Sequence, residues 1–281
     1  MRIGFLLSSI GELTMIPVAM TIAGSDPSGG AGIQADLKTF HQHGVYGTSI
    51  VTLLTVQNTQ SVSAIEILDS NFVLAQLDAV LGDIPAQAAK IGALGSVANI
   101  EALAERAKSF SFPLVLDPVM VSKHGHSLID EHAIKVLITK LLPTAFLVTP
   151  NLPEASRLAA MEVNDVRTME KAAEVIARHG VKHVLVKGGH LGGDAVDVLW
   201  TDGQAIRLRG ERIDTHHTHG TGCVLSAAIT ARLARGEDVL TAVTASKRFI
   251  TEAIRTNPCL GHGYGPVNML AIVPGCEPKP Q

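Results

Sequence analysis

Short apolar runs alternate along this chain with longer segments in which apolar residues recur every three or four positions. The runs predict buried β-strands, at residues 18–23, 48–56, 88–91, 114–116, 145–148, 183–186 and 195–200. The periodic segments predict α-helices, at residues 31–43, 71–81, 96–108, 131–141, 152–161, 170–179, 224–234 and 239–256. This alternation indicates an α/β fold with a central, mostly parallel sheet. Because the strands are continuously apolar, we expect helices on both faces.

The length of 281 residues fits one large domain, and no repeat, low-complexity tract or linker divides the sequence. We therefore expect a single domain over residues 15–281. Residues 1–14 carry a short apolar run without a convincing cleavage site, so we expect a loose N-terminal extension rather than a signal peptide. Nothing elsewhere approaches the length of an apolar segment that crosses a membrane.

The composition narrows the classes of function. A net charge of −3 and an aromatic content of 4% argue against a nucleic-acid partner and against an anionic membrane surface. Three cysteines without paired spacing, at positions 223, 259 and 276, predict neither a disulfide framework nor a zinc site. We expect a protein of the reducing cytoplasm that acts on a small molecule.

Several polar, glycine-bearing or proline-bearing loops follow predicted strands, and in a parallel sheet such loops gather at one edge, where ligands bind. The first contains residues 30–35, which match a loose dinucleotide-binding pattern. A nicotinamide enzyme would place an acidic residue at the end of the next strand, but that strand ends in "TLLTVQNT". The glycines therefore indicate either a plain turn into a helix or a substrate lid. No P-loop motif occurs.

The segment "HGTGCVLSAAI" offers another way to hold phosphate. Gly220 and Gly222 permit backbone geometries that are closed to other residues. The amides of Thr221 to Cys223 would then open a helix, where unpaired N–H groups and the helix dipole favour an anion. The alternative is a simple glycine-rich turn capped by Thr221.

Charged residues follow three other predicted strands. Asp117 ends a buried strand, where an unpaired charge is unfavourable, so a metal or a phosphate-binding partner is expected. Lys187 also follows a strand and suits a phosphate, although a surface lysine is the alternative. Asn151 and Glu154 are spaced as a capping box, and Glu154 also suits the surroundings of Mg²⁺; both roles are compatible.

The loop before Gly220 contains His216, His217 and His219. Three histidines suggest a metal site, but the sequence nearby supplies no further ligands at a suitable spacing. We therefore expect solvated loop histidines.

An anion-binding helix start, an aspartate, a glutamate and a lysine at one edge favour Mg²⁺-assisted phosphoryl transfer, which depends on positioning and on charge neutralisation. Beside them stand motifs that resemble, in the same order, those of the bacterial hydroxymethylpyrimidine/phosphomethylpyrimidine kinases of thiamine biosynthesis, within the ribokinase-like superfamily. The motifs are "TIAGSDPSGGAGIQADLKTF", "QNT", "KIGALGS", "VLDPVM", "TPNLPEA", "VKGGH", "THGTGC" and "GHGYGPV".

The resemblance implies a ribokinase-like fold and two reactions. ATP would phosphorylate 4-amino-5-hydroxymethyl-2-methylpyrimidine and then its monophosphate. The implied pyrimidine-binding residues are Gln57, Asp36, Gly24 and Val119, with Ala93 in the same wall. Lys187 and Asn151 would serve ATP and its phosphates, Asp117 and Glu154 would serve Mg²⁺, and Gly220, Thr221, Gly222 and Cys223 would form the catalytic anion hole. We also expect a homodimer, and the length implies no fused thiamine-phosphate synthase.

Two positions depart from relatives. Some family members have methionine where this chain has Ala93, and the smaller side chain would loosen the pyrimidine pocket enough to admit some pyridoxal. Related sugar kinases carry an aspartate base where this chain has Cys223, whose thiol would act as base or only orient the acceptor hydroxyl. A pyridoxal kinase is thus the alternative activity, and a non-catalytic pyrimidine-binding protein is a further one.

Overall fold

The computed structural model describes residues 16–120, 129–189 and 194–273. The predicted extension at residues 1–14 and the third cysteine, Cys276, lie outside the described residues. Within them, nine strands form one sheet in the order β3-β2-β1-β4-β5-β6-β7-β8-β9. The strands are β1 (Val18–Ser25), β2 (Tyr46–Gln57), β3 (Val62–Ile67), β4 (Ala88–Ile91), β5 (Leu114–Leu116), β6 (Leu147–Val148), β7 (His183–Val186), β8 (Ala195–Thr201) and β9 (Gln204–Gly210).

The six central strands, β2-β1-β4-β5-β6-β7, pair in parallel, and antiparallel strands extend the sheet at both edges. The predicted mostly parallel sheet is therefore confirmed. The chain moves outward from β1 to β3 and then returns to pair β4 with β1. This reversal creates a topological switch point between β1 and β4, and the carboxyl ends of the strands beside such a point form the usual ligand-binding crevice.

Helices cover both faces of the sheet, as the continuous apolar strands predict. One buried cluster packs α2, α3, α4, α5 and α6 against the sheet, and a second packs α1, α7 and α8 against the opposite face. The helices are α1 (Gly32–Gln42), α2 (Ser70–Asp83), α3 (Val97–Ala107), α4 (Glu131–Val136), α5 (Leu152–Ala159), α6 (Val166–Ala177), α7 (Thr221–Ala234) and α8 (Val239–Arg255).

Two edge strands, β3 and β9, are not among the predicted elements. The residues of β3 are mostly exposed on both faces, so no apolar run marks the strand. In β9 apolar residues alternate with arginines and glutamine, which is the pattern of an edge strand. Its hairpin turn is Asp202–Gly203, with φ values of 50° and 75°. This Asp-Gly pair is the strongest local hairpin signal in the sequence.

Three predicted helices have clearly different limits, and one of them, predicted at residues 170–179, begins four residues earlier, at Val166 after its Asp165 cap. The predicted helix at residues 131–141 is α-helical only to Val136 and continues as a π-helix, Leu137–Leu141, and a 3₁₀ turn, Leu142–Thr144. A proline at position 143 prevents a regular continuation. Helix α7 begins at Thr221, three residues before the apolar run, because glycine-permitted geometry at Gly220 (φ 79°) turns the chain directly into the helix.

Candidate active site

Asp117 lies directly after β5, at the carboxyl edge of the sheet, and is the point on which several elements converge. Its Oδ1 atom is 3.0 Å from Nζ of Lys187, which follows β7, and accepts a hydrogen bond from Thr149 Oγ1 at 3.2 Å. Its Oδ2 atom accepts from Ser226 Oγ of α7 at 3.3 Å. The aspartate side chain is 3% exposed and the lysine side chain 15%. The lysine therefore retains a path to solvent that the aspartate lacks.

The first turn of α7 lies directly over this ion pair. A Cβ atom on Gly222 would be 3.2 Å from Lys187 Nζ and 3.5 Å from Asp117 Oδ2. The Thr221 amide and hydroxyl both bind the carbonyl of Thr218. Gly220 is the cap residue and no side chain caps the helix, so the alternative of a turn capped by Thr221 is wrong. Glycine at position 222 keeps the approach between the helix start and the lysine open.

The ion pair is charged in the free protein. Burial raises the pKa of Asp117. The opposite effect of Lys187 and Lys90 is larger in sum, so the net shift of the pKa is downward. Burial lowers the pKa of Lys187, and Asp117 and Glu154 more than offset this, so that its pKa is raised. A lysine that stays protonated beside amides at a helix start is suited to an anionic phosphate.

Asn151 and Glu154 form the predicted capping box at the start of α5. The Glu154 amide donates to Asn151 Oδ1 at 2.9 Å, and the Asn151 amide donates to Glu154 Oε2 at 2.8 Å. The glutamate is also close enough to Asp117 and Lys187 to interact electrostatically with both. Burial, with a contribution from Asp117, raises the pKa of Glu154 to about 7.

At this edge two buried carboxyl groups face one lysine. When both are ionised, the negative charge exceeds the positive charge by one unit, and an additional cation would compensate it. The described residues contain no cluster of three or more histidine, cysteine or acidic side chains that could cage a metal. Mg²⁺ typically binds proteins through one or two carboxylates and takes its other ligands from water and from substrate phosphates. Asp117 and Glu154 fit that donor set.

Cys223 lies in the first turn of α7, and the nearby Gly32 amide at the start of α1 acts to lower the pKa of its thiol. Burial raises the pKa of the thiol to about 11, although Lys90 acts in the opposite direction; Asp36 and Asp117 raise it further. A helix start and a nearby lysine would have favoured a low pKa from the sequence alone. Burial dominates, so the side chain is a neutral thiol at pH 7.

Asp36, which the resemblance placed in the pyrimidine pocket, is fully buried in α1. Its carboxylate lies 2.8 and 2.7 Å from Nζ of Lys90 in β4 and accepts from Thr21 Oγ1 at 2.6 Å. Neither charged side chain is exposed to solvent. Direct contact between Asp36 and a substrate stays a prediction, and these partners occupy its carboxylate in the free protein. Lys90 was missed, although a lysine inside the apolar run "AAKI" was a visible signal.

The other pyrimidine-binding candidates follow neighbouring parallel strands. Gly24 is the second-to-last residue of β1. A Cβ atom on it would be 2.5 Å from Leu53 Cδ1. Ala93 follows β4, with its carbonyl bound by Thr52 Oγ1 at 2.6 Å. Val119 follows β5. The sheet therefore places them at one edge, beside the switch point between β1 and β4.

Gln57, at the end of β2, lies beside His219. The amide nitrogen of Gln57 is 3.3 Å from Nε2 of His219, and the same ring nitrogen is 2.8 Å from Oδ2 of Asp26. His219 is only 3% exposed, and Nδ1 of His217 accepts a hydrogen bond from the Gly265 amide. The prediction of solvated loop histidines is therefore wrong for both residues, because the loop folds back onto two neighbouring segments.

The two glycine-bearing loops meet directly. A Cβ atom on Gly220 would be 1.8 Å from the carbonyl oxygen of Gly30, and one on Gly30 would be 2.5 Å from the His219 ring. Only glycines allow the loop after β1 to pack this closely on the start of α7. The glycines of the loose dinucleotide pattern thus serve loop packing.

A cavity of about 470 Å³ lies between β9 and α8. It is lined by five basic side chains and by apolar side chains that include Leu208, Ile272 and Val273. One of the basic residues, Lys247, binds Asp197 Oδ2 at 2.6 Å, and Asp197 Oδ1 accepts from the Gly188 amide at 2.9 Å. The cavity is therefore joined through Asp197 to the loop that carries Lys187.

Among the described residues, no helix has the length and apolar character needed to cross a membrane.

The chain is 46% identical over 254 residues to the hydroxymethylpyrimidine/phosphomethylpyrimidine kinase of Synechococcus elongatus, covering 90% of this chain and 97% of that protein. It is 48% identical over 251 residues to the thiamine biosynthesis bifunctional protein ThiED of Geobacter sulfurreducens, and it spans about half (51%) of that longer protein.

Among solved structures, the ADP complex of Bacillus subtilis pyridoxal kinase matches with a TM-score of 0.86 and 40% identity, covering 92% of this chain and 98% of that one. This match confirms the predicted ribokinase-like fold. The sequence model of the phosphomethylpyrimidine kinase family matches residues 26–268, a range that contains Asp26, both glycine-bearing loops and the Asp117–Lys187 pair. The chain belongs to the phosphomethylpyrimidine kinase family.

Proposed function

We propose that this kinase uses ATP to phosphorylate 4-amino-5-hydroxymethyl-2-methylpyrimidine and then to phosphorylate the resulting monophosphate. The observation that carries the proposal is the Lys187–Asp117 pair beneath a glycine-bearing helix start, with a neutral thiol at Cys223. Phosphoryl transfer depends mainly on positioning and on neutralising charge, and this arrangement supplies both.

In this proposal the transferred phosphate lies between Lys187 and the first turn of α7. Lys187 contributes a positive charge, and the first amides of the helix contribute N–H donors. Gly222 places no side chain between the helix start and Lys187, since a Cβ atom there would lie 3.2 Å from the lysine Nζ. The residues present are therefore able to stabilise the charge that spreads over the transferred group.

Asp117 and Glu154 would hold Mg²⁺. The ion supplies neutralisation of the phosphate oxygens when it is bound. Glu154 is restrained for this role by the Asn151 amide, which orients its carboxylate. Its pKa of about 7 means that a nearby cation would favour the ionised form.

The cavity between β9 and α8 would receive the base and ribose of ATP. It is connected to Lys187 through Gly188, Asp197 and Lys247, and its volume of about 470 Å³ lies within the usual range of small-molecule sites. Its apolar side chains suit the face of a base, and its basic side chains supply hydrogen-bond donors for the ribose and the base.

A neutral thiol suits both acceptors. The first acceptor is an alcohol, whose hydroxyl Cys223 would orient; in a loose transition state the proton need not leave early. The second acceptor is a phosphate monoester with a second pKa of about 6, so it is ionised at pH 7 and requires no base. A fixed carboxylate at this position would repel it, whereas a thiol with a pKa of about 11 does not.

The test is release of ADP in the presence of Mg²⁺ and each acceptor separately. We expect release with the pyrimidine alcohol and with its monophosphate, each with saturation kinetics. Release with the alcohol alone would overturn the two-step proposal, and release with neither would overturn the proposed substrate class.

Pyridoxal phosphorylation is a second candidate activity. It is favoured by the close structural match to Bacillus subtilis pyridoxal kinase and by the small side chain of Ala93, which lies in the loop after β4. We expect kcat/KM to be higher for the pyrimidine than for pyridoxal. Replacing Ala93→Met should lower the value for pyridoxal selectively, since the longer side chain narrows the pocket; an unchanged ratio would contradict this role of Ala93.

A further inference from the structure

The carboxylate of Asp26, at the start of the loop after β1, accepts as many hydrogen bonds as its two oxygens allow. Its Oδ1 atom accepts from the amide and the hydroxyl of Ser28, at 2.9 and 2.7 Å. Its Oδ2 atom accepts from the Ala31 amide at 2.9 Å and faces His219 Nε2 at 2.8 Å. A carboxylate has about four acceptor positions, and all are used. Burial raises the pKa of Asp26, but the opposite effect of His219 and Ser28 is larger in sum, and the pKa is lowered. The group is therefore an ionised carboxylate, which accepts hydrogen bonds and donates none.

This contact fixes which ring nitrogen of His219 carries a proton. At 2.8 Å from an ionised carboxylate oxygen, Nε2 must be a donor. Nε2 consequently has no lone pair to offer to any other group. The conclusion is the same for the neutral Nε2–H tautomer and for the doubly protonated ring.

The fixed proton in turn constrains Gln57. The terminal amide of Gln57 approaches the same Nε2 atom at 3.3 Å, and an N–H group of the amide has no acceptor there. The oxygen and nitrogen of a glutamine amide are assigned from their hydrogen-bonding partners. The Nε2 proton points mainly to Asp26 at 2.8 Å and is shared with Gln57 at 3.3 Å, so the amide oxygen faces this proton in a three-centre contact and the NH₂ group turns away from the ring.

We propose that His219 is a specificity-positioning residue: anchored by Asp26, it holds the Gln57 amide so that the NH₂ group faces the acceptor substrate. An aromatic ring nitrogen with a free lone pair, such as those of a pyrimidine, is the group that this orientation recognises. The inference rests on the proposed function, because it assigns Gln57 to the pyrimidine. It adds a residue whose ring proton, shared between Asp26 and Gln57, positions the amide that recognises the substrate.

The arrangement also explains why the histidine precedes Gly220 directly. Its backbone N–H donates to the Gly265 carbonyl at 3.1 Å, and its carbonyl accepts from the Val267 amide at 3.3 Å. Both main-chain groups are therefore held by the segment after α8, while the ring reaches Asp26 and Gln57. The phosphate-binding helix start and the substrate-recognising glutamine are joined through one side chain.

The test compares two substitutions of the same residue. His219→Gln keeps an N–H donor at the reach of Nε2, whereas His219→Leu fills similar space without a donor. We expect His219→Leu to raise KM for the pyrimidine alcohol about 10- to 100-fold, the range for loss of a charge-assisted hydrogen-bond network. KM for ATP should change less than about threefold. His219→Gln should recover most of the loss.

His183→Leu serves as the matched control. This histidine is also buried, but it lies at the start of β7, at the edge of the sheet opposite the site, and its ring packs on Phe146. It should leave KM for the pyrimidine unchanged even if it lowers thermal stability. Two results would overturn the proposal: equal rises in KM for ATP and for the pyrimidine in His219→Leu, or equal losses in the Leu and Gln variants. Either would mean that His219 only holds neighbouring segments of the chain together.

The protonation of the ring can be observed without turnover. In the full-length protein with ¹⁵N-labelled histidine, the resonance absent from His219→Gln identifies His219. We expect a protonated Nε2 in the free protein; a signal from an Nδ1–H tautomer would overturn the inference. Loss of all pyrimidine-dependent ADP release in the unsubstituted enzyme would instead count against the proposed function, so the two failures are distinguishable.

Discussion

Two of the lysine–aspartate pairs at this end of the sheet differ in their access to solvent. Lys90 and Asp36 approach to 2.7 Å, and both side chains are fully buried. Lys187 and Asp117 approach to 3.0 Å, and the lysine side chain is 15% exposed beside the glycine-bearing start of α7. The first pair is sealed and its aspartate is also bound by a threonine, whereas the second pair opens toward a ligand.

The difference in exposure predicts that the first pair contributes mainly to stability and the second mainly to phosphate binding. In a sealed pair each charge is needed to compensate the other, and the removal of one partner leaves a buried charge without a counterion. In the open pair the lysine is able to exchange part of its interaction with Asp117 for a phosphate, because both partners are anions. Residue type alone does not distinguish the pairs; burial and the neighbouring backbone do.

The largest expected effect falls on activity through the open pair. Lys187→Met should lower kcat/KM for the pyrimidine about 10³-fold, because it removes the positive charge that faces the transferred phosphate. The free energy of unfolding should fall by less than it does for Lys90→Met, since Thr149 and Ser226 still donate to Asp117. ADP release and urea unfolding measure the two effects. A larger loss of stability than of transition-state binding would erase the distinction between the pairs.

The sealed pair should affect stability instead. Lys90→Met should lower the free energy of unfolding by about 3–5 kcal/mol, because burial already raises the pKa of Asp36 and, without Lys90, the carboxyl has no cation to compensate its charge. The double variant Lys90→Met, Asp36→Leu should recover most of this loss, as apolar residues replace the whole pair. Urea unfolding at pH 7 measures both. If the double variant is no more stable than the single one, the pair is more than a compensated charge.

The pH dependence of stability should show the charge on Glu154. Its pKa is raised from 4.5 to about 7 in the folded protein, so the folded state binds the proton more tightly than the unfolded state. The stabilisation is complete below pH 4.5 and is lost as the pH rises toward 7. Its size is about 1–3 kcal/mol. Glu154→Gln should flatten this part of the curve, which unfolding measurements without Mg²⁺ would test; an unchanged slope would contradict the assignment.

The smallest expected effect distinguishes the two acceptors. Cys223→Ala should slow phosphorylation of the alcohol about tenfold, within the range for loss of an orienting hydrogen bond. It should slow phosphorylation of the monophosphate much less, because that acceptor is already ionised. Cys223→Asp should harm the second reaction selectively. Comparison of kcat for the two acceptors checks this, and equal losses in Cys223→Ala would refute the idea.

Much of the fold could be predicted from the sequence, because continuous apolar runs and helical periodicity report burial directly. The parallel centre of the sheet and the covering of both faces follow from them. The edge strands β3 and β9 were missed because edge strands bury little surface. The irregular end of α4 was missed because its apolar residues continue the helical spacing past Val136.

The site was predictable where a strand end places a charged residue at the ligand-binding edge. Asp117, Lys187 and the capping box of Asn151 and Glu154 follow this rule, and the structure brings Asp117 and Lys187 into contact. The roles assigned to them in binding and catalysis stay predictions, as does the homodimer.

Pairings between distant segments were not predictable from local patterns. His219 and Asp26 are 193 positions apart, and the ion pair of Lys90 in β4 depends on how α1 packs over the neighbouring strand β1. The raised pKa of Cys223 likewise reflects burial, which neither its place in the helix nor its neighbours in sequence report. Such features require the packed structure.

Following the phosphorus resonances of one reaction mixture over time tests most directly whether one site serves both acceptors. The mixture contains the enzyme, Mg²⁺, ATP and the pyrimidine alcohol. We predict that a phosphate monoester signal rises first and then falls, as the paired signals of a pyrimidine diphosphate replace it. A monoester that accumulates without further conversion, or a spectrum in which only ATP hydrolysis occurs, would contradict the claim that one site with a neutral thiol serves two acceptors.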